Sequence, residues 1–293
     1  MNDDPISMRN VSRSYDGPPV LRDFNLSVMQ GSIYGFLGRN GSGKTTALRM
    51  LAGLIKPNAG EVRVLGGDPF TCGAVERQSI GYMSEKPMLP YGAKAKQALE
   101  LGRALYPTWD TALVDSLISK YNLPLGRGYS ALSLGMQRLL GFVLAIGPRP
   151  KVLLLDEPAA NLDAVARREI LDDILDLIRD SECTVLLSTH VLSDVERVAD
   201  EIGILAKGNL RISEPLDVLK DSVRQIRFFD FLNGMPKDEL PESYRTVRKK
   251  DEMVVTLRTN PNLTPDILAQ RWSCQYEARP LNLEDIFVEL SAN

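Results

Sequence analysis

The 293 residues include one histidine, two tryptophans and three cysteines. Cys72, Cys183 and Cys274 are odd in number, far apart and without metal-ligand spacing. A disulfide framework is excluded, and free thiols in a reducing compartment are expected. No apolar run approaches the ~18 residues of a membrane span. The opening "MNDDPISM" lacks the basic-then-apolar plan of a signal peptide. The expected location is the cytoplasm, with any membrane role supplied by a partner. Charge imbalance is small too. A net charge of -3 gives no global pull toward nucleic acid or an anionic membrane. Composition is that of a soluble globular protein, 44% hydrophobic and 25% charged, with length for one large domain or two ordinary ones. There is no internal repeat and no low-complexity tract.

What the sequence does have is a glycine-rich stretch, "GRNGSGKTTAL", from Gly38 to Leu48. The spacing Gly38-x4-Gly43-Lys44-Thr45 fits a phosphate-binding loop. A flexible surface loop is the plainer reading, but the flanks argue against it. "GSIYGFLG" reads as a strand, and a helix is expected from about Lys44 to Leu54. Strand, loop, helix is the setting in which backbone N–H groups and a helix N-terminus cradle phosphate. Lys44 is placed for the β- and γ-phosphates, Thr45 for Mg²⁺ and Thr46 for the α-phosphate.

A second acidic element follows in "KVLLLDEP" (Lys151 to Pro158). Val152 to Leu155 reads as a buried parallel strand. Asp156 falls at its C-terminal end, where ligands bind in open α/β sheets, and is placed to hold Mg²⁺. Glu157 is placed to polarise an attacking water as general base. His190 follows another strand, Thr184 to Ser188. A lone histidine is more often structural, but here an imidazole could hydrogen-bond a γ-phosphate and orient the water.

These elements and their order resemble the nucleotide-binding subunits of ABC transporters, across about residues 4 to 215. Tyr15 in "SRSYDGPPVL" resembles the A-loop aromatic that stacks on adenine. "GRNGSGKTT", which holds Gly38, Arg39, Asn40, Gly41, Ser42, Gly43, Lys44, Thr45 and Thr46, is similar to Walker A. "IGYMSEKP" (Ile80 to Pro87) stands where the family has its Q-loop. "LSLGM" (Leu132 to Met136) resembles the signature motif. "LLLDEP" is similar to Walker B, "ANLD" with Asp163 to the D-loop, and His190 to the switch histidine.

The resemblance implies a P-loop NTPase of α/β class, an ABC ATPase core spanning residues 1–215. A helical subdomain would be inserted at about 86–148, and 216–293 would form a small α+β extension. It implies ATP and Mg²⁺ as ligands, with Thr45, Asp156 and Glu85 toward the metal. It implies a homodimer closed by ATP, with Ser133 and the Gly135 amide touching the γ-phosphate of the other copy. Those two residues stand at the start of a helix expected at about Gly135 to Ile146. It implies a separate transmembrane permease as partner, a peripheral position at the inner face of the cell membrane, and no nucleic acid.

The match has departures. Glu85 stands where glutamine is usual, and reads either as a metal or coupling contact or as a solvated loop residue. Leu134 and Met136 replace the usual glycine and glutamine. Leu139 falls where a basic residue is expected. The motifs stop after about Leu210. Beyond it, "QIRFFDFL" and "EMVVTLRT" read as strands and "TPDILAQRW" as a short helix. "LNLEDIFVEL" reads as amphipathic, with Leu283, Ile286, Phe287 and Leu290 on one face. This closing element resembles the extension of ABC-2 type exporter ATPases, and "IGYMSE" and "LYPTWD" resemble their YtrB-like branch. The rival readings are a soluble ABC ATPase acting on ribosomes or nucleic acid, and a nucleotide sensor without turnover. The absence of a basic linker or long coiled-coil insertion argues against the first, and the presence of Glu157 and His190 against the second.

Overall fold

The computed structural model describes residues 4–86, 89, 92–237, 240 and 243–291. Pro87 of the Q-loop stretch lies outside the described residues. So does the Leu290 side chain of the expected amphipathic face. Contacts divide the chain into two compact units, Met1–Ser213 and Glu214–Asn293.

The first unit opens with β1 (Ile6–Arg13), β2 (Leu21–Val28), β3 (Ile33–Gly38), α1 (Lys44–Leu51), β4 (Ala59–Val64), α2 (Ala74–Arg77) and β5 (Ile80–Met83). A helical stretch follows: α3 (Ala95–Leu105), α4 (Thr111–Lys120) and α5 (Leu134–Ile146). Then come β6 (Val152–Asp156), α6 (Ala164–Ser181), β7 (Thr184–Thr189), α7 (Leu192–Val198), β8 (Glu201–Ala206) and β9 (Asn209–Pro215). The helix expected to reach Leu54 stops at Leu51, because Gly53 turns left-handed and closes it. The signature helix starts one residue earlier than expected, at Leu134, because Ser133 caps it.

Six strands make the central sheet, in the order β5-β6-β7-β3-β8-β9. The pairs from β5 through β8 are parallel. β3, β6 and β7 are buried at every position, as strands covered on both faces must be. Their side chains alternate between two cores. Leu153, Leu155, Val185 and Leu187 face the helical side, with Leu140, Phe142 and Val143 of α5. Leu154 and Leu186 face the other side, with Leu48 and Met50 of α1 and the antiparallel sheet β2-β1-β4. Within the helical stretch Trp109 packs on the backbone of Gly102 and Gly147. A Cβ at either glycine would come within 2.6 Å of its ring, so only glycine lets α3 and the end of α5 close on it.

The second unit contains α8 (Leu216–Ser222), β10 (Val223–Phe229), β11 (Ser243–Arg248), β12 (Glu252–Arg258), α9 (Pro265–Trp272), β13 (Gln275–Pro280) and α10 (Leu283–Ser291). Its antiparallel sheet runs β11-β12-β10-β13. Ile226, Phe228, Val255 and Leu257 pack there against Leu268 and Trp272 of α9. Phe228 meets Trp272 edge to face at 4.9 Å. The helix expected over "TPDILAQRW" forms with Thr264 as its cap. Leu283 and Ile286 of α10 are fully buried and Phe287 partly so.

Leu154 is fully buried in β6. Leu154→Ala is expected to cost about 2–5 kcal/mol, the range for truncating a core leucine. Urea unfolding of the nucleotide-free protein reads this directly.

Candidate functional site

The loop after β3 brings its backbone to the C-terminal end of the sheet. Gly43 is its pivot, with φ of 112°. A Cβ there would lie 2.7 Å from Leu21 Cδ2, so both conformation and space require glycine. No side chain caps α1, and its first turn holds no acidic residue. The N-terminus of α1 therefore presents its N–H groups and positive dipole end to an anion.

Lys44 is buried, and its Nζ donates to Gly38 O at 2.6 Å. Burial pulls its pKa below the ordinary lysine value, while Glu157, Asp156 and Glu85 pull it back up. The lysine is thus bent over its own loop, where an incoming phosphate would replace the carbonyl as its partner.

Asp156 closes β6, 1% exposed. Its Oδ1 accepts from Ser188 Oγ of β7 at 2.6 Å, while Oδ2 is buried without a hydrogen-bond partner. A buried carboxylate oxygen without a donor is costly and calls for a cation. Glu157 follows in a left-handed conformation, φ 53°. Its N–H donates to Ser188 O at 2.9 Å, and its carbonyl accepts from Arg138 Nη1 at 2.7 Å and from Ala160 N at 3.2 Å. His190 Nδ1 stands 2.9 Å from Glu157 Oε2. A carboxylate only accepts, so a hydrogen bond across this contact would need the hydrogen on Nδ1, and Nε2 could then donate only from the imidazolium.

One cavity of about 610 Å³ is lined by Asn40 to Thr46, Glu85, Arg138, Asp156, Glu157 and His190. Seven positions singled out from the phosphate loop therefore meet the acidic pair and the histidine. Glu85 is exposed on its rim. Tyr15 and Arg39 are exposed and do not line it. The Tyr15 ring is 50% exposed and covered by the Arg13 guanidinium, 4.8 Å from its centroid. Gly38 is reached only through its bond to Lys44.

Ser133, Gly135 and Asp163 line a different cavity, of about 650 Å³. Ser133 Oγ accepts from Met136 N at 3.2 Å as the cap of α5, which leaves the hydroxyl hydrogen to donate outward. Asp163 caps α6, accepting from Val165 N and Ala166 N, both at 2.9 Å. A Cβ at Gly135 would stand 3.2 Å from Asn161 O. A third cavity, about 660 Å³, opens at the opposite ends of the strands beside Ser79, Lys151 and Thr184, away from all of these motifs.

The residue missed in the sequence is Arg138. A basic side chain is expected at position 139, but Leu139 packs in the helical core. Arg138, one position earlier, points into the site. Its signal was a lone arginine in the apolar sequence of α5.

Comparison with known proteins gives the family. Residues 21–160 match the protein family described as ABC transporter. The chain is 34% identical over 222 residues to the ABC transporter ATP-binding protein YtrB of Bacillus subtilis strain 168, covering 76% of each. This chain belongs to the ABC transporter ATP-binding family. It is an ABC-type ATPase, as the motif order implied. The bacitracin transport ATP-binding protein BcrA of Bacillus licheniformis is 32% identical over 222 residues, 75% of this chain and 72% of that one. A solved ATP-binding subunit of an ABC transporter superposes with a TM-score of 0.67 at 25% identity, over 74% of this chain and 92% of the other. The α/β P-loop fold expected from the sequence is borne out. Among the described residues no helix of this ATPase is long and apolar enough to cross a membrane. Nor do three His, Cys, Asp or Glu side chains cluster as a metal cage among them. A site of few carboxylates completed by phosphate oxygens is the kind Mg²⁺ uses.

Ser188→Ala would remove the donor to a carboxylate that is almost fully buried. A loss of about 1–3 kcal/mol in the nucleotide-free protein is expected. Equilibrium denaturation of the two proteins checks it, and equal stability would mean the bond contributes nothing.

Proposed function

We propose that two copies of this chain close head to tail around two ATP molecules, hydrolyse them at composite sites, and so drive a separate membrane permease in export. The observation that supports this reading is the division of the motifs. The phosphate loop, Glu157 and His190 share one cavity, while Ser133, Gly135 and Asp163 line another. Each cavity is half of a site, and a second copy turned by a two-fold axis supplies the missing half twice.

In this reading Tyr15 stacks on adenine, and the N–H groups from Gly41 to Thr46 hold the phosphates. Lys44 leaves Gly38 for the β- and γ-phosphate oxygens. Thr45, Asp156 through its unpartnered Oδ2, and Glu85 at the rim would hold Mg²⁺. Bound there, the ion would neutralise charge on the β- and γ-phosphates. Glu157 orients a water and takes its proton as the water oxygen attacks the γ-phosphorus and the bond to the β–γ bridging oxygen breaks. His190, with Nδ1 beside Glu157, donates from Nε2 to the γ-phosphate as the imidazolium. Across the interface the Ser133 hydroxyl and the Gly135 N–H donate to the same group at the start of α5. Cleavage removes the group both copies hold, and the dimer opens. Each opening moves the permease, with the ATPase peripheral at the inner face of the cell membrane. The ABC-2 likeness of the closing residues supports export, and no nucleic acid enters this scheme.

Glu157→Gln keeps the shape of the site and removes its base. With saturating MgATP the variant is expected to sediment as a dimer and turn over little ATP. A monomer under those conditions would contradict the sandwich. The permease is tested by recovering the tagged protein from solubilised membranes of its native host. A polytopic membrane protein in stoichiometric amount is expected. Ribosomes in its place would remove the transport reading and leave the ATP chemistry.

A further inference from the structure

Arg138 is 6% exposed, yet it lies on the wall of the phosphate cavity rather than in the helical core. Burial lowers its pKa from the ordinary arginine value, and the carboxylates of Glu85, Glu157 and Asp156 oppose that, Glu85 first. Its Nη1 donates to Glu157 O, the carbonyl of the residue that holds the left-handed turn. A left-handed non-glycine residue persists only where its surroundings over-determine it. A charged donor is a strong restraint of that kind. The same cavity carries the exposed Glu85 carboxylate on its rim. Water screens Glu85 in the open chain. A nucleotide seated in this cavity would exclude part of that solvent, and the like charge of Glu85 would then need an opposing cation.

We propose that Arg138 is a positioning residue with two jobs: it pins the Glu157 turn through its carbonyl, and its charge offsets Glu85 so that a triphosphate seats beside that carboxylate. The inference rests on Glu157 as the hydrolytic base, which the Glu157→Gln variant checks separately. The two jobs answer to different measurements. Pinning affects the chemical step. Offsetting affects nucleotide affinity, read with a fluorescent ATP analogue in EDTA, without turnover or metal.

Arg138→Gln is expected to lower kcat by roughly 10–100-fold, the scale of a misplaced reacting group. It is expected to weaken analogue binding about tenfold, as an unopposed like charge does. Adding Glu85→Gln to Arg138→Gln should restore the affinity to within about threefold of wild type while kcat stays low. Arg138→Lys keeps the charge and loses the planar fork, so affinity holds and kcat falls about tenfold. Equal affinities in Arg138→Gln and in the double variant would overturn the offset. Unchanged kcat in the Arg138 variants would overturn the pinning. If Arg138→Gln does not fold, Arg138→Lys decides the pinning through kcat. Glu85→Gln alone then decides the offset. Measured in EDTA, where Glu85 has no metal to hold, it should change analogue affinity by less than about twofold, because Arg138 already offsets its charge, and a rise above tenfold would show Glu85 unopposed.

Discussion

The backbone of Glu157 is held from three directions, and the active geometry depends on it. Ser188 of β7 takes its N–H, Arg138 of α5 and Ala160 of the following turn give to its carbonyl, and φ is left-handed. Such a conformation costs on the order of 1–3 kcal/mol at a non-glycine residue. The surrounding bonds fix it, and with it the direction of the Glu157 carboxylate toward His190. The central sheet, the helical stretch and the turn leading to Asp163 therefore meet at a single residue. A movement of α5 relative to β6 would shift the Glu157 backbone.

Charge is the second constraint. The cavity gathers Glu85, Asp156 and Glu157 where a polyanion is to bind, against Lys44 and Arg138, with His190 alongside. Asp156 keeps one oxygen satisfied by Ser188 and one without a donor. Lys44 is partly desolvated and tied to Gly38. In the proposed scheme the cation meets Asp156 Oδ2 and a phosphate meets Lys44, so each group gains a partner of opposite charge.

Much of the fold and of this site was legible in the sequence, because the chemistry demands residue types at fixed spacing. Gly43 is required by a backbone angle, Lys44 by reach, and Asp156 by its place at a strand end. The runs that became β3, β6 and β7 are continuous apolar segments and could be seen as buried strands. Arg138 was not legible. Its function depends on the register of α5 and on how closely that helix approaches β6, which no local pattern encodes. In the second unit β10, β12 and α9 showed themselves by hydrophobic period. β13, "QYEARP", is exposed along nearly its whole length at the edge of its sheet, and β11, "SYRTVR", is half-buried without clean alternation. Neither carries the apolar signal by which a strand is read. Tyr15 shows the opposite case: its motif could be named, but its ring lies under Arg13 rather than on the cavity wall.

In the proposed scheme a complete hydrolytic site needs two copies of the chain. Specific ATPase activity followed through a wide dilution series, with sedimentation at the same concentrations, tests it most directly. Turnover per chain is expected to fall as the protein is diluted into the range where ATP no longer holds the dimer. Undiminished turnover per chain where sedimentation reports only monomer would contradict it.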